Sequence, residues 1–125
     1  MGLKVLVVDD DFINRKLLQT LLKKNSAMIS NIVEAENGSD ALDKLKNDPS
    51  IDIILLDIMM PIVDGIEFLK IYRSDAKNAN VPVIVLSTDD TRKNEVFDNG
   101  ANDFLRKPIK EDLLFDKIKQ WTANI

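Results

Sequence analysis

Asp9, Asp10 and Asp11 stand in a row directly after the apolar run Val5–Val8, and another carboxylate, Asp57, follows the apolar run Ile51–Leu56. Like charges at that density repel one another, and each resists losing its water. A surface turn tolerates such a cluster, whereas the end of a buried strand tolerates it only beside something cationic. Ser87-Thr88 closes the run Val83–Leu86 in the same manner, and Lys107-Pro108 comes just after Phe104–Leu105. The chain has no cysteine and no histidine. That removes disulfides, thiolate nucleophiles, Ser-His-Asp triads and the commonest zinc ligand. A metal held here is therefore a hard cation on oxygen ligands: Mg2+, Mn2+ or Ca2+.

The elements that must position these groups are legible as alternating patterns. Val5–Val8, Ile32–Glu34, Ile51–Leu56, Val83–Leu86 and Phe104–Leu105 read as strands, and "VLVV" and "IDIILL" are nearly continuous, as strands buried on both faces are. Between them run stripes at helical spacing. Ile13, Leu17, Leu18, Leu21 and Leu22 form the first; Ala41, Leu42 and Leu45 the second; Ile66, Leu69 and Tyr72 the third. Val96 with Phe97, then Leu114, Ile118 and Trp121, complete the set, and Trp121 and the leucines of the last helix read as core. "ENGSD", "NDPS", "PIVDG", "NANVP" and "DNGAND" punctuate the segments as turns. Strands alternating with helices predict an α/β domain with a parallel sheet covered on both faces. Right-handed crossovers then bring every strand-to-helix loop to one edge, where ligands of such folds bind. Both acidic groups, the hydroxyls and the lysine are expected to meet there.

The chain has 125 residues, 45% hydrophobic and 30% charged, with a net charge of −4. That is the size and balance of one globular domain, expected to span 1–125 without a linker. No basic block stands out, which argues against direct nucleic-acid binding. The start is too short in apolar residues for a signal peptide and no later run reaches membrane-spanning length, so the expectation is a cytoplasmic domain without membrane insertion.

With "VVDDD", "LLDIMMPIVDG", "VIVLST" and "NGANDFLRKP" in this order, the chain resembles the receiver domains of two-component response regulators over essentially its whole length, in the single-domain, chemotaxis-regulator style. The resemblance implies a flavodoxin-like doubly wound (βα)5 fold with strand order 2-1-3-4-5. It implies Asp57 as phosphoacceptor, with Asp10 touching the metal and Asp9 acting mainly through water. It also implies the backbone carbonyl of Met59 as a metal ligand, Ser87 as the hydroxyl that contacts the phosphoryl group, and Lys107 as its cationic partner, aimed by a cis peptide bond to Pro108. Phe104 matches the aromatic switch residue that follows Ser87, and Met59 and Asp89 match positions that tune phosphoryl lifetime. The implied cofactor is Mg2+, with Mn2+ as a substitute. This agrees with the chemistry of the residues, because clustered carboxylates suit an octahedral oxygen-seeking cation and phosphoryl transfer needs mostly positioning and charge stabilisation. A phosphohistidine donor must come from another protein, since this chain has no histidine.

Each residue also has a plainer reading. Asp9 and Asp10 would serve as acids at a helix start, where Asp11 is expected in any case to face solvent and favour the helix dipole. Asp57 would be the acidic start of the "MMPIVDG" loop, and Lys107 an exposed lysine. Ser87 or Thr88 would cap a helix beginning near Thr91, and Phe104 would be a strand aromatic. Thr88 stands where the family often has a small residue, and Ile109 where it often has an aromatic.

The expected function is a phosphorylation-activated switch, not an enzyme that turns over a substrate. Its partners would be a sensor histidine kinase or histidine phosphotransfer protein, and a downstream protein docking on the fourth helix, fifth strand and fifth helix. It would act as a monomer or a phosphorylation-dependent dimer. The rivals are an aspartyl-phosphate phosphatase or phosphotransferase, a flavodoxin-like flavin protein, and a receiver used only as a docking module. The phosphatase would carry an Asp where this chain has Met59. A flavodoxin phosphate loop would offer glycines and hydroxyls where this chain has three acids.

Overall fold

The computed structural model describes residues 2–58, 64–88 and 90–123. The elements are β1 (Leu3–Val8), α1 (Phe12–Lys23), β2 (Ile29–Ala35), α2 (Gly38–Asn47), β3 (Ile53–Asp57), α3 (Gly65–Arg73), a 3-10 turn (Ala76–Asn78), β4 (Val83–Ser87), α4 (Lys93–Asp98), β5 (Asp103–Arg106) and α5 (Glu111–Thr122). The strands are all parallel in the order β2-β1-β3-β4-β5. This is the flavodoxin-like order the resemblance implies. No helix among the described residues is long and apolar enough to cross a membrane.

The continuous apolar runs are continuous because both faces of the sheet are covered. Val5, Val7, Ile53 and Leu55 face one layer with Leu22 of α1 and Leu114 and Ile118 of α5. Their strand neighbours Leu6, Val8, Ile54 and Leu56 face the other, with Ala41 of α2, Phe68 and Leu69 of α3, and Val96 of α4. Side chains alternate across a strand, so a strand with helices on both sides can spare no polar position.

The turn residues of the sequence act as helix caps. Asp11 accepts from the Ile13 amide at 2.8 Å, Asn37 from Asp40 at 2.8 Å and Asp64 from Glu67 at 2.8 Å. Each satisfies an amide that the first helical turn leaves without a partner, worth about 1 kcal/mol. Asp11 is exposed at that cap, as its position in the sequence predicts.

Several expectations need correction. β2 runs to Ile29–Ala35, well beyond Ile32–Glu34, because it is an edge strand whose Ser30 and Asn31 are exposed. β3 starts at Ile53 and ends on Asp57 itself; Ile51 is buried before the strand begins. α4 starts at Lys93, two residues after Thr91, and Arg92 occupies its cap position without a side-chain cap. The cap position is thus held by neither Ser87 nor Thr88. The first apolar stripe also divides: Leu22 is fully buried, whereas Ile13 and Leu17 are 61% and 64% exposed.

Candidate functional site

The carboxyl edge of the sheet gathers the expected groups. β1 leads directly into Asp9 and Asp10, while Asp57 is the last residue of β3 and Ser87 the last of β4. Lys107 follows β5 by one residue, and its peptide bond to Pro108 is cis. Parallel pairing fixes the relative heights. Asp57 lies opposite Leu86 and Ser87 opposite Arg106, and the Lys107 amide donates to the Ser87 carbonyl at 2.9 Å.

Ligand oxygens of Asp9, Asp10 and Asp57 all lie within 4.8 Å of one another. Asp9 and Asp57 are buried, at 5% and 8% exposure, and Asp10 is exposed. Asp9 accepts from the Asp11 amide through Oδ1 at 2.9 Å, and its Oδ2 lies 3.5 Å from Lys107 Nζ. The Ser87 side chain is buried beside them, at 1% exposure. Carboxylates so close need compensating positive charge, which the ammonium of Lys107 supplies in part. An open, all-oxygen donor set that is half-buried and negative fits Mg2+, which keeps several waters and takes one or two carboxylates. The acids therefore converge on one point, not on three separate helix starts.

Phe104 pairs in register with Val85 on β4 and is nearly buried, at 9% exposure, in the layer that contains Val96. Lys93 Nζ lies 5.8 Å from its ring centroid. Thr88 is exposed beyond the strand end. Met59 and Asp89 lie outside the described residues.

The sequence did not reveal what supports these groups. Arg15, one turn into α1, donates from Nη1 to the Asp9 carbonyl at 2.8 Å and from Nε to Glu34 at 3.1 Å. Its only sequence signal is its place four residues after the Asp11 cap, on the side of the helix that looks back at the loop. Gly65 packs against the end of β3: a Cβ there would come within 2.5 Å of Ile58 Cα and 3.0 Å of the Asp57 carbonyl. "PIVDG" reads as a turn, and nothing local reports that close approach.

A groove of about 580 Å3 opens beside the acids. Asp9 and Lys107 line it together with the apolar Leu17, Leu18, Leu21 and Ile109. Leu17, exposed on α1, thus belongs to the wall of a groove that also contains Asp9 and Lys107.

Comparison with known proteins agrees with this geometry. Residues 5–119 match the model of the response regulator receiver domain. The chain is 36% identical over 121 residues to the two-component response regulator ARR17 of Arabidopsis thaliana, covering 86% of this chain and 77% of that protein. Among solved structures, the receiver domain of Ssk1 from Saccharomyces cerevisiae, crystallised with the histidine phosphotransfer protein Ypd1, superposes with a TM-score of 0.85 at 27% identity, covering 98% of this chain and 90% of that one. The receiver domain of the sensor histidine kinase PA1611 from Pseudomonas aeruginosa, described with a magnesium ion in its active-site cleft, has the same fold, with a TM-score of 0.87 at 23% identity over 99% of this chain and 100% of that one. The chain spans only 6% of the length of hybrid signal transduction histidine kinase A of Dictyostelium discoideum, to which it is 34% identical over 123 residues, covering 94% of this chain. With the fold, the acidic site and these matches in agreement, the chain belongs to the response regulator receiver domain family.

Proposed function

We propose that the chain accepts a phosphoryl group on Asp57 from a phosphohistidine of a partner kinase or phosphotransfer protein and relays the event through a change of its surface. The observation that carries this reading is the convergence of Asp9, Asp10 and Asp57 within 4.8 Å, beside Lys107. A carboxylate at the end of a buried strand needs no general base, because it is already ionised at neutral pH. One Asp57 oxygen forms the bond to phosphorus as the P–N bond of the donor breaks. The electron pair of that bond stays with the imidazole nitrogen, which leaves neutral once protonated. Lys107 and the Ser87 hydroxyl then stand where the phosphoryl oxygens come to rest. Asp9, Asp10 and Asp57 would hold Mg2+, with the Met59 carbonyl as a further ligand. Bound there, Mg2+ would neutralise the acids and offset charge on the phosphoryl oxygens.

The donor's protein is the natural occupant of the groove along α1. Its apolar wall leads to Asp9 and Lys107, so a helix seated on Leu17 and Leu21 would present its histidine at the acids. On the far side, Phe104 lies between the Ser87 strand and α4. Movement of Ser87 towards a phosphoryl group would free space for the ring and alter the face formed by α4, β5 and α5, where a downstream protein would read it.

Intact mass after incubation with acetyl phosphate tests the reading, with and without Mg2+ and beside the Asp57→Asn variant. One added phosphoryl group that requires Mg2+ and is absent from the variant supports it. No adduct, with no beryllofluoride complex either, overturns it in favour of a docking module. Turnover of an exogenous phosphomonoester would favour the phosphatase instead.

A further inference from the structure

The acidic pair is joined by a single peptide, and that peptide is gripped from outside the site. The Asp9 amide donates to the Ala35 carbonyl of β2 at 3.1 Å, so the strand ladder holds one side. Beyond Asp9 the chain leaves the sheet, and its carbonyl is taken by Arg15 Nη1 at 2.8 Å. The same guanidinium donates through Nε to Glu34 Oε1 at 3.1 Å, and Lys16 Nζ approaches the other Glu34 oxygen at 3.1 Å. The Arg15 side chain is only 12% exposed. Three elements therefore meet at one planar group: helix α1, the loop carrying the acids and the edge strand β2.

We propose that Arg15 is a positioning residue for the acidic pair, clamped by Glu34 so that its hold on the Asp9 carbonyl keeps both carboxylates converged with Asp57. The inference rests on the reading of Asp9, Asp10 and Asp57 as a cation-binding site. An arginine is required because one rigid fork must reach two acceptors on different elements; an ammonium is a single point of donation on a flexible stem. Partners that orient metal ligands from outside typically change affinity by 10- to 100-fold when removed.

Charge makes the proposal sharply testable. Taking a cation away from an acidic site strengthens Mg2+ binding by simple electrostatics. A lost clamp weakens it. The experiment is a Mg2+ titration followed by backbone amide shifts, on the wild-type chain and on Arg15→Met, Arg15→Lys and Glu34→Asp, with urea unfolding of each in the absence of Mg2+. Arg15→Lys and Glu34→Asp keep every charge and serve if Arg15→Met does not fold. The expected result is Mg2+ affinity about tenfold weaker in Arg15→Met, against the electrostatic sign, and clearly weaker in the two charge-conserving variants. Affinity tightened or within twofold of wild type in folded variants, with stability alone reduced, overturns the proposal and leaves Arg15 a structural residue. A wild-type chain that binds no Mg2+ overturns the parent reading, and this inference with it.

Discussion

Trp121 and Asp103 tie the end of α5 to the start of β5: the indole N–H donates to Asp103 Oδ2 at 2.8 Å. Lys117 Nζ lies 3.0 Å from the same oxygen, and Oδ1 accepts the Phe104 amide at 2.8 Å. Burial alone would raise the Asp103 pKa, but the hydrogen bonds from Trp121, Phe104 and Lys117 outweigh it and hold the carboxyl below its ordinary value. A depressed carboxylate contributes stability that is fully present above its unfolded pKa and is lost as pH falls through the folded one. Trp121→Phe is expected to cost about 2 kcal/mol at pH 7, as for a hydrogen bond to a charged acceptor. Urea unfolding should show that deficit shrinking as the acid range is entered; a deficit constant down to pH 2 would assign it to packing.

Lys93 caps the ring of Phe104 from α4, with Nζ 5.8 Å from the centroid. Such a contact is worth about 0.5–1 kcal/mol when partly exposed. If Phe104 alternates between a buried and an outward position, Lys93→Met should shift the ratio towards outward by about two- to fivefold. Fluorine NMR of a fluorophenylalanine-labelled chain reads the two populations directly. An unchanged ratio would mean that β4 and α4 packing, not the lysine, holds the ring.

What the sequence disclosed and what it withheld divide on physical grounds. The strand ends were legible because a carboxylate or lysine after a doubly buried run has few idle explanations, and Asp57, Asp9 and Lys107 each sit in that context. Ser30 and Asn31 hid half of β2, because an edge strand pays no penalty for polar residues on its open side. Ile13 and Leu17 looked like core, since spacing reports which residues share a helix face and not whether anything covers it. Arg15, Gly65 and Asp103 were silent because their roles lie in contacts with residues distant in sequence: the Arg15 partner Glu34 is 19 positions away, and the Asp103 partner Trp121 is 18. Phe12, outside the apolar stripe, lies exposed beneath the cations of Arg15 and Lys16, at 5.7 and 5.1 Å.

Gly65→Ala places a methyl group against backbone that cannot give way. The nearest backbone atoms are Ile58 Cα at 2.5 Å and the Asp57 carbonyl oxygen at 3.0 Å, and the Gly65 amide donates to the Ile58 carbonyl at 3.2 Å. Overpacking of this kind costs about 2 kcal/mol. The strain falls on Ile58 and on the adjoining Asp57, the proposed acceptor, so phosphorylation by acetyl phosphate should slow in the folded variant as well. A destabilised variant with an unchanged rate would show that α3 yields and the end of β3 does not.

Leu17→Ser separates docking from chemistry. Leu17 is 64% exposed, so the change should alter stability by no more than about 0.5 kcal/mol. Phosphorylation by acetyl phosphate needs no protein partner and should be unaffected. Transfer from a phosphotransfer protein that serves the wild-type chain should slow by about tenfold, the loss of one well-buried apolar contact. Rates unchanged from wild type with both donors would remove the α1 groove as the donor's seat.

Asp57 and Asp9 are buried in the same cluster, and removing either charge should cost the chain its Mg2+-dependent stability. Without a divalent cation, Asp57→Asn relieves carboxylate repulsion while preserving shape, at the expense of the contacts its own carboxylate makes. Asp9→Asn relieves the same repulsion but forfeits the attraction to Lys107 at 3.5 Å and weakens acceptance from the Asp11 amide at 2.9 Å. Its net change should be near zero or unfavourable. Mg2+ at ten times its dissociation constant adds about 1.4 kcal/mol to any form that binds it only when folded. Wild type should gain that increment, and both variants should lose most of it. Urea titrations in the two buffers decide it: parallel shifts for all chains would mean that Mg2+ acts elsewhere than at these carboxylates.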